Sequence, residues 1–258
     1  MCLVLIAFHH HPEFPVVIAA NRDEFFTRPT APVHFWEENP SILGGRDLEK
    51  GGTWMAVHRS GRFAAVTNYY EPSPRQAGKR SRGELVTGYL AGNNPPQTYI
   101  TTIAGVVTEF DGFNLFAGDL DRLCFISSRS PTVRTLTPGI LGLSNGELDY
   151  PWPKVNKGLA LFNQLLEHKN RITVDELFNI LNDREPPADY VTAVDDSGNR
   201  TPRPIFVSDG AFGTRSSTVL LIDNDLNVLF SEKSFNRQGS EVGQVEKEFS
   251  ITRPSIPH

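Results

Sequence analysis

The sequence predicts an α+β fold in which helices cover antiparallel sheets. Three observations carry this reading. Apolar runs of strand length alternate with turn-forming residues through the first seventy positions. Two pairs of segments with helical apolar spacing follow further along. The groups come in the order strands, two helices, strands, two helices, strands, which suits helix layers laid on sheets. No internal repeat is visible and no linker divides the chain, so residues 1–258 are read as one domain.

The elements can be justified in order. Cys2 to Phe8 and Val16 to Ala20 are apolar runs joined by the turn His11-Pro12-Glu13-Phe14-Pro15. Read as an antiparallel hairpin, they return Asn21-Arg22-Asp23-Glu24 to the side of the chain start. A second hairpin is expected from Thr53 to His58 and Arg62 to Tyr70, turning at Arg59-Ser60-Gly61. Ser81-Arg82-Gly83-Glu84 has the spacing of a capping box ahead of Leu85, Val86, Tyr89 and Leu90, and a second helix fits Thr98 to Val107. Strands resume at Phe113 to Gly118, Leu123 to Ser127 and Ile140 to Leu143. Val155, Leu159, Phe162 and Leu166 then mark one helix face. Thr173-Val174-Asp175-Glu176 caps the next helix, whose buried side is Leu177, Ile180 and Leu181. Residues 184–203, rich in Pro, Asp, Gly and Asn, read as a long surface loop suited to a lid. A hairpin of Ser217 to Ile222 and Val228 to Ser231 closes the pattern.

Composition narrows the function. A net charge of −5 with no basic block argues against a nucleic-acid backbone as partner. No run of 18 apolar residues is present, so no stable membrane insertion is expected. Leu3 to Phe8 lacks the basic flank and cleavage site of a secretory signal. With two cysteines, Cys2 and Cys124, a disulfide framework is excluded, and a reducing, cytoplasmic setting is the natural expectation.

Two readings stand for Cys2. It is a small residue buried on a strand, as free cysteines commonly are. Alternatively, removal of Met1 leaves it with a free α-amine of reference pKa about 7.7–8, a base beside its own thiol and the minimum machinery for acyl transfer. Asn21, Arg22, Asp23 and Glu24 are either a solvated strand end or the surroundings of that nucleophile. Strand alternation sends Asn21 and Asp23 to one face and Arg22 and Glu24 to the other, which favours Asp23 as the direct contact. Asn68 and Asn145 each end an apolar strand, where they serve either as turn formers or as donors to an oxyanion. Arg215, ahead of another apolar strand, is a source of positive charge or an ordinary solvated end. Alternating faces separate His9, His10 and His11, and no spacing completes a metal site. Gly44-Gly45 and Gly51-Gly52 lack the lysine of a phosphate loop, and Asp195 to Asn199 lacks the spacing of a calcium loop.

Taken together, Met1-Cys2, Ala19-Ala20-Asn21-Arg22-Asp23-Glu24-Phe25, Arg28-Pro29, Gly51-Gly52-Thr53-Trp54 and Thr67-Asn68-Tyr69 form an ordered set. Arg82-Gly83-Glu84-Leu85, Gly142-Leu143-Ser144-Asn145, Pro151-Trp152 and Gly213-Thr214-Arg215 continue it. The set resembles the NRDE family, that of transport and Golgi organisation protein two, from the first residue to about residue 250.

The resemblance implies an N-terminal-nucleophile hydrolase-like fold, a four-layer α-β-β-α sandwich with two stacked antiparallel sheets. It also implies that Cys2, Asp23, Asn68, Asn145 and Arg215 follow the order of the functional residues in choloylglycine and penicillin V acylases. There a cysteine attacks an amide carbonyl, an aspartate and an arginine organise it, and asparagines hold the oxyanion. In that group an arginine lies three residues before the aspartate, whereas Ala20 holds that position here and Arg22 directly precedes Asp23. The family is further linked to intracellular haem mobilisation and to acyl-coenzyme A and lipid handling. The leading expectation is therefore a cytoplasmic carrier of haem or a similar small hydrophobic ligand, with Asn21, Arg22 and Glu24 as ligand contacts and no cofactor required for chemistry. A Cys2-dependent amide hydrolase is the alternative, and a non-catalytic interaction module the third reading. No Cys-x-x-Cys-His haem attachment motif is present.

Overall fold

The computed structural model describes residues 2–70, 78–148, 150–169, 171–187 and 203–252. Its first hairpin is β1 (Leu3–Phe8) with β2 (Val16–Phe25), followed by the meander β3 (Thr30–Phe35), β4 (Ile42–Asp47), β5 (Met55–His58) and β6 (Phe63–Asn68). Helices α1 (Gly83–Ala91) and α2 (Pro96–Ala104) precede β7 (Phe113–Gly118), β8 (Leu123–Ser127), β9 (Arg134–Leu136) and β10 (Gly139–Leu143). Then come α3 (Pro153–His168), α4 (Val174–Leu181), β11 (Ser208–Asp209), β12 (Phe212–Ile222), β13 (Asn227–Phe235) and β14 (Glu241–Ser250).

The strands form two antiparallel seven-stranded sheets. One runs β10-β1-β2-β12-β13-β14, with β11 beside β12, and the other runs β3 to β9 in chain order. Three apolar clusters show how they stack. Val4, Ile6 and Phe8 of β1 meet Met55, Val57, Phe63 and Phe116 between the sheets. The alternate residues Leu3, Leu5 and Ala7 face Phe162, Leu166 and Leu177 of α3 and α4. On the far side, Ala64, Leu115 and Ala117 receive Leu85, Tyr89 and Ile100 of α1 and α2. The order of layers is thus helix, sheet, sheet, helix, as expected. Every residue of β1 is buried, because its period-two alternation serves two different apolar layers.

The expected segments overlap these elements, running a few residues past β5, β6 and α2, and five strands add to them, the two-residue β11 included. β3 carries Pro32 and a register shift between Ala31 and His34, and β4 contains Gly44-Gly45, so neither has strong strand composition. A Cβ at Gly45 would collide with the Trp54 ring, so the glycine lets that indole lie against the strand. β9 is three residues long, and β14 is a mostly exposed sheet edge rich in Glu and Lys. The box at Thr173 and Glu176 is complete. At Ser81 it is half-formed: Glu84 accepts from the Ser81 N–H at 3.1 Å, while the N-terminus of α1 has no side-chain cap. The segment read as a lid lies largely outside the described residues, with 184–187 and 203 its described positions.

Candidate active site

β2 is the central strand that positions the site. It pairs with β1 on one side, Leu3 opposite Asn21, and with β12 on the other, Thr214 opposite Asp23. Continuing the first register sets Cys2 across from Arg22. Both lie on the inter-sheet face, since Val4 and Ala20 belong to that core. Asp23 and Asn21 face the helices. Arg22, rather than Asp23, is therefore the same-face neighbour of Cys2. β2 remains a strand to Phe25, so the alternation rule applies through the whole cluster.

A cleft of about 360 Å³ opens at this end of the sandwich. Cys2, Arg22, Asp23 and Glu24 line it from one sheet. Thr53, Trp54, Val66 and Asn68 line it from the other, and residues 78–83 ahead of α1 form a rim. Asn145 stands behind the cleft and ties it together. Its Oδ1 accepts a hydrogen bond from the Cys2 nitrogen at 2.8 Å, and its Nδ2 donates to the Asn68 carbonyl at 2.7 Å. Ser144 Oγ donates to the Cys2 carbonyl at 2.7 Å, and Thr67 Oγ1 donates to the Ser144 carbonyl at 2.9 Å. These contacts fix the backbone of the nucleophile candidate from the side opposite the cleft. Met1 lies outside the described residues.

Asp23 is 3% exposed. One carboxylate oxygen accepts from Thr214 Oγ1 at 2.8 Å, and the other lies 3.6 Å from Lys154 Nζ. Lys154 escaped the sequence reading. It is 4% exposed in the first turn of α3, where a cation opposes the helix dipole. That misplacement is the signal that could have found it.

Arg22 is 7% exposed, and its guanidinium stacks on Trp54 at 4.4 Å from the ring centre. It donates to Thr30 Oγ1 at 3.3 Å and lies 3.8 Å from Glu24. Burial pushes its pKa below the ordinary value, against the charges of Glu24, Cys2 and Asp47. Glu24 also approaches Arg28 at 4.0 Å. Arg28 is held by Asp47 at 2.7 Å. Burial would lower its pKa, but the hydrogen bond and charge of Asp47 outweigh that and raise it.

Two predicted residues sit elsewhere. Asn21 faces the helices. Its Nδ2 donates to the carbonyls of Leu181 and Ile205 at 2.8 and 3.0 Å, and its Oδ1 accepts from Ser217 Oγ at 2.6 Å. It fastens the sheet to the end of α4. Arg215, at a register shift in β12, donates to the Phe25 and Arg28 carbonyls at 3.0 Å each, bracing the turn that carries Arg28. Burial, then the charge of Arg22, lowers its pKa.

Two histidines of the run, His9 and His11, point to backbone. His9 contacts the Leu120 carbonyl at 2.7 Å and His11 that of Lys169 at 3.0 Å. Among the described residues no group of three His, Cys, Asp or Glu side chains is placed to hold a metal ion, and no helix is long and apolar enough to cross a membrane. Chemically, the cleft offers a thiol with a fixed backbone nitrogen, an asparagine amide and a buried guanidinium.

A family model described as Transport and Golgi organisation 2 matches residues 1–237. The Homo sapiens Transport and Golgi organization protein 2 homolog is 35% identical over 259 residues, covering 91% of this chain and 93% of that protein. The Mus musculus homolog is 33% identical over 258 residues, with the same coverages of 91% and 93%. Among solved structures, a mutant conjugated bile acid hydrolase from Clostridium perfringens aligns with a TM-score of 0.50 and 10% identity. That alignment covers 100% of this chain and 99% of the other, a likeness of fold.

Proposed function

The chain belongs to the Transport and Golgi organisation 2 family, and from that premise we propose that it is an amide hydrolase whose nucleophile is Cys2. The observation that carries this reading is the clamp of Asn145 on Cys2. The Cys2 nitrogen is held at 2.8 Å by a side chain that also holds Asn68, with both residues opening on one cleft. Removal of Met1 turns that nitrogen into an amine. Donating one N–H to Asn145 leaves its lone pair for the thiol proton. Sulfur then adds to the amide carbonyl carbon, with the Asn68 side-chain amide, from the same cleft, as the donor for the oxyanion. The amine passes the proton to the leaving nitrogen as the C–N bond breaks, leaving a thioester on Cys2. Water then adds to the thioester carbonyl, giving its proton to the same amine, and the C–S bond breaks as the amine returns that proton to sulfur, releasing the acid. The reducing cytoplasm is the compartment that keeps such a thiol free, in keeping with the two unpaired cysteines.

Intact mass and acyl-amide turnover test this. Loss of Met1 is expected, with turnover at least about a hundredfold lower in Cys2→Ala. Retained Met1, or equal turnover in the variant, removes the reading.

Carriage of haem or a similar hydrophobic ligand is the second reading. It rests on the family resemblance and on the basic side chains at the cleft, which suit propionates. The walls supply Trp54 and Val66 as their large apolar groups, and neither His nor Met is among the described lining residues. This is why the hydrolase reading leads. A haem titration with a saturable spectral change supports carriage, and its absence sinks it.

A further inference from the structure

Arg22 is built as a receptor with its donors left open. Of the five N–H donors of a guanidinium, one makes a hydrogen bond among the described residues, to Thr30 Oγ1 at 3.3 Å. Glu24 lies 3.8 Å away, beyond hydrogen-bond distance, and it leans equally towards Arg28 at 4.0 Å. The guanidinium is buried yet lines the cleft, so its remaining donors face the space where a ligand enters. Stacking on Trp54 fixes its plane, so little freedom is lost when a partner docks. The open donors lie within reach of water in the cleft, and a ligand acceptor would take the place of that water.

We propose that Arg22 binds a carboxylate of the ligand, a few bonds from the group presented to Cys2. A planar fork of donors matches a carboxylate in bidentate fashion. Lowered dielectric around a buried arginine strengthens that pair. The register places Arg22 directly across the strand pair from Cys2 on one face, at the spacing of cross-strand neighbours. For a hydrolase, the substrate is then an amide that carries a carboxylate on its acyl or amine half. A porphyrin propionate presents the same chemistry. The inference rests on the cleft as the ligand site, and its test separates these two sources.

Calorimetric titration of the full chain uses matched pairs: N-acyl amino acids against their neutral carboxamides, and haem against its dimethyl ester. Each pair differs in charge and hardly in shape. At least tenfold tighter binding of the acid in one series is expected, and Arg22→Met, which retains bulk against Trp54, should erase the difference. Arg22→Lys, keeping charge without the fork, should lose most of it. Equal affinity of acid and neutral partner in the unaltered protein overturns the inference without any variant. So does a preference that survives in folded Arg22→Met, or no binding in either series. Acid-selective binding without turnover leaves Arg22 as a carboxylate site while removing the hydrolase reading. Acid-selective binding confined to haem assigns the carboxylate to a propionate.

Discussion

Lys154 Nζ lies 3.6 Å from Oδ2 of Asp23, and both side chains are buried. The pair joins the first turn of α3 to the strand that lines the cleft, so it fixes where Asp23 sits. Removing Lys154 takes a buried cation away from a buried carboxylate, and breaking such a pair typically costs about 3–5 kcal/mol. Lys154→Met is expected to lose stability of that order in urea denaturation. Adding Asp23→Asn to it should recover part of the loss, since the buried carboxylate charge that Lys154 faces is then gone as well. A double variant as unstable as the sum of the two singles would show that the groups do not interact.

Asn145 clamps two backbone segments, and its removal should be felt at both. Asn145→Ala leaves the Cys2 nitrogen and the Asn68 carbonyl without their partner. Unmade bonds to partly buried groups cost about 1–3 kcal/mol each, so a loss of roughly 2–6 kcal/mol is expected. Turnover should fall further than the folded fraction explains, because the amine loses its fixed direction. Full activity per folded molecule would remove Asn145 from the positioning of Cys2.

Much of this was legible in the sequence because period-two and helical spacings record which layers a segment touches. Val4-Leu5-Ile6 and Leu85-Val86-Tyr89 announce buried elements on composition alone, and the hairpin turn brings Cys2 to the polar end of β2. What escaped depends on contacts distant in sequence. β14 was missed because its residues are mostly exposed and show no apolar alternation. Asn21 looked like a ligand contact because its neighbours are polar. Its partners, Leu181, Ile205 and Ser217, come from segments that sequence reasoning cannot bring together. The partition of Arg22 and Asp23 onto opposite faces was readable from alternation. Which face held Cys2 required the register with β1.

That structural role for Asn21 has its own consequence. Asn21→Ala strands two carbonyls and a hydroxyl in a buried setting, a change expected to cost about 2–4 kcal/mol. Acyl-amide turnover per folded molecule should stay within about twofold, because the side chain faces the helices and not the cleft. Thermal denaturation paired with active-site titration separates the two effects. A selective loss of turnover at unchanged stability would return Asn21 to the ligand site.

Glu232 of β13 gives a prediction in pH. Its carboxylate accepts from the Val33 N–H at 3.1 Å and from Thr218 Oγ1 at 3.2 Å, joining the two sheets beneath Arg22. Burial pushes its pKa up to about 7 from an ordinary 4.5, although these hydrogen bonds and the charge of Arg22 pull the other way. The folded protein therefore holds this proton more tightly than the unfolded chain. Its contribution to stability is fully present below the ordinary carboxyl range and falls as pH rises towards about 7. Above that value the penalty of the buried charge is complete, on the order of 3 kcal/mol. Urea denaturation from pH 4.5 to 8 should show the decline in the unaltered protein. Glu232→Gln keeps the shape and an acceptor for Val33 while removing the titration, so its profile should be flatter through that window. An equally steep decline in the variant would assign the pH dependence to other groups.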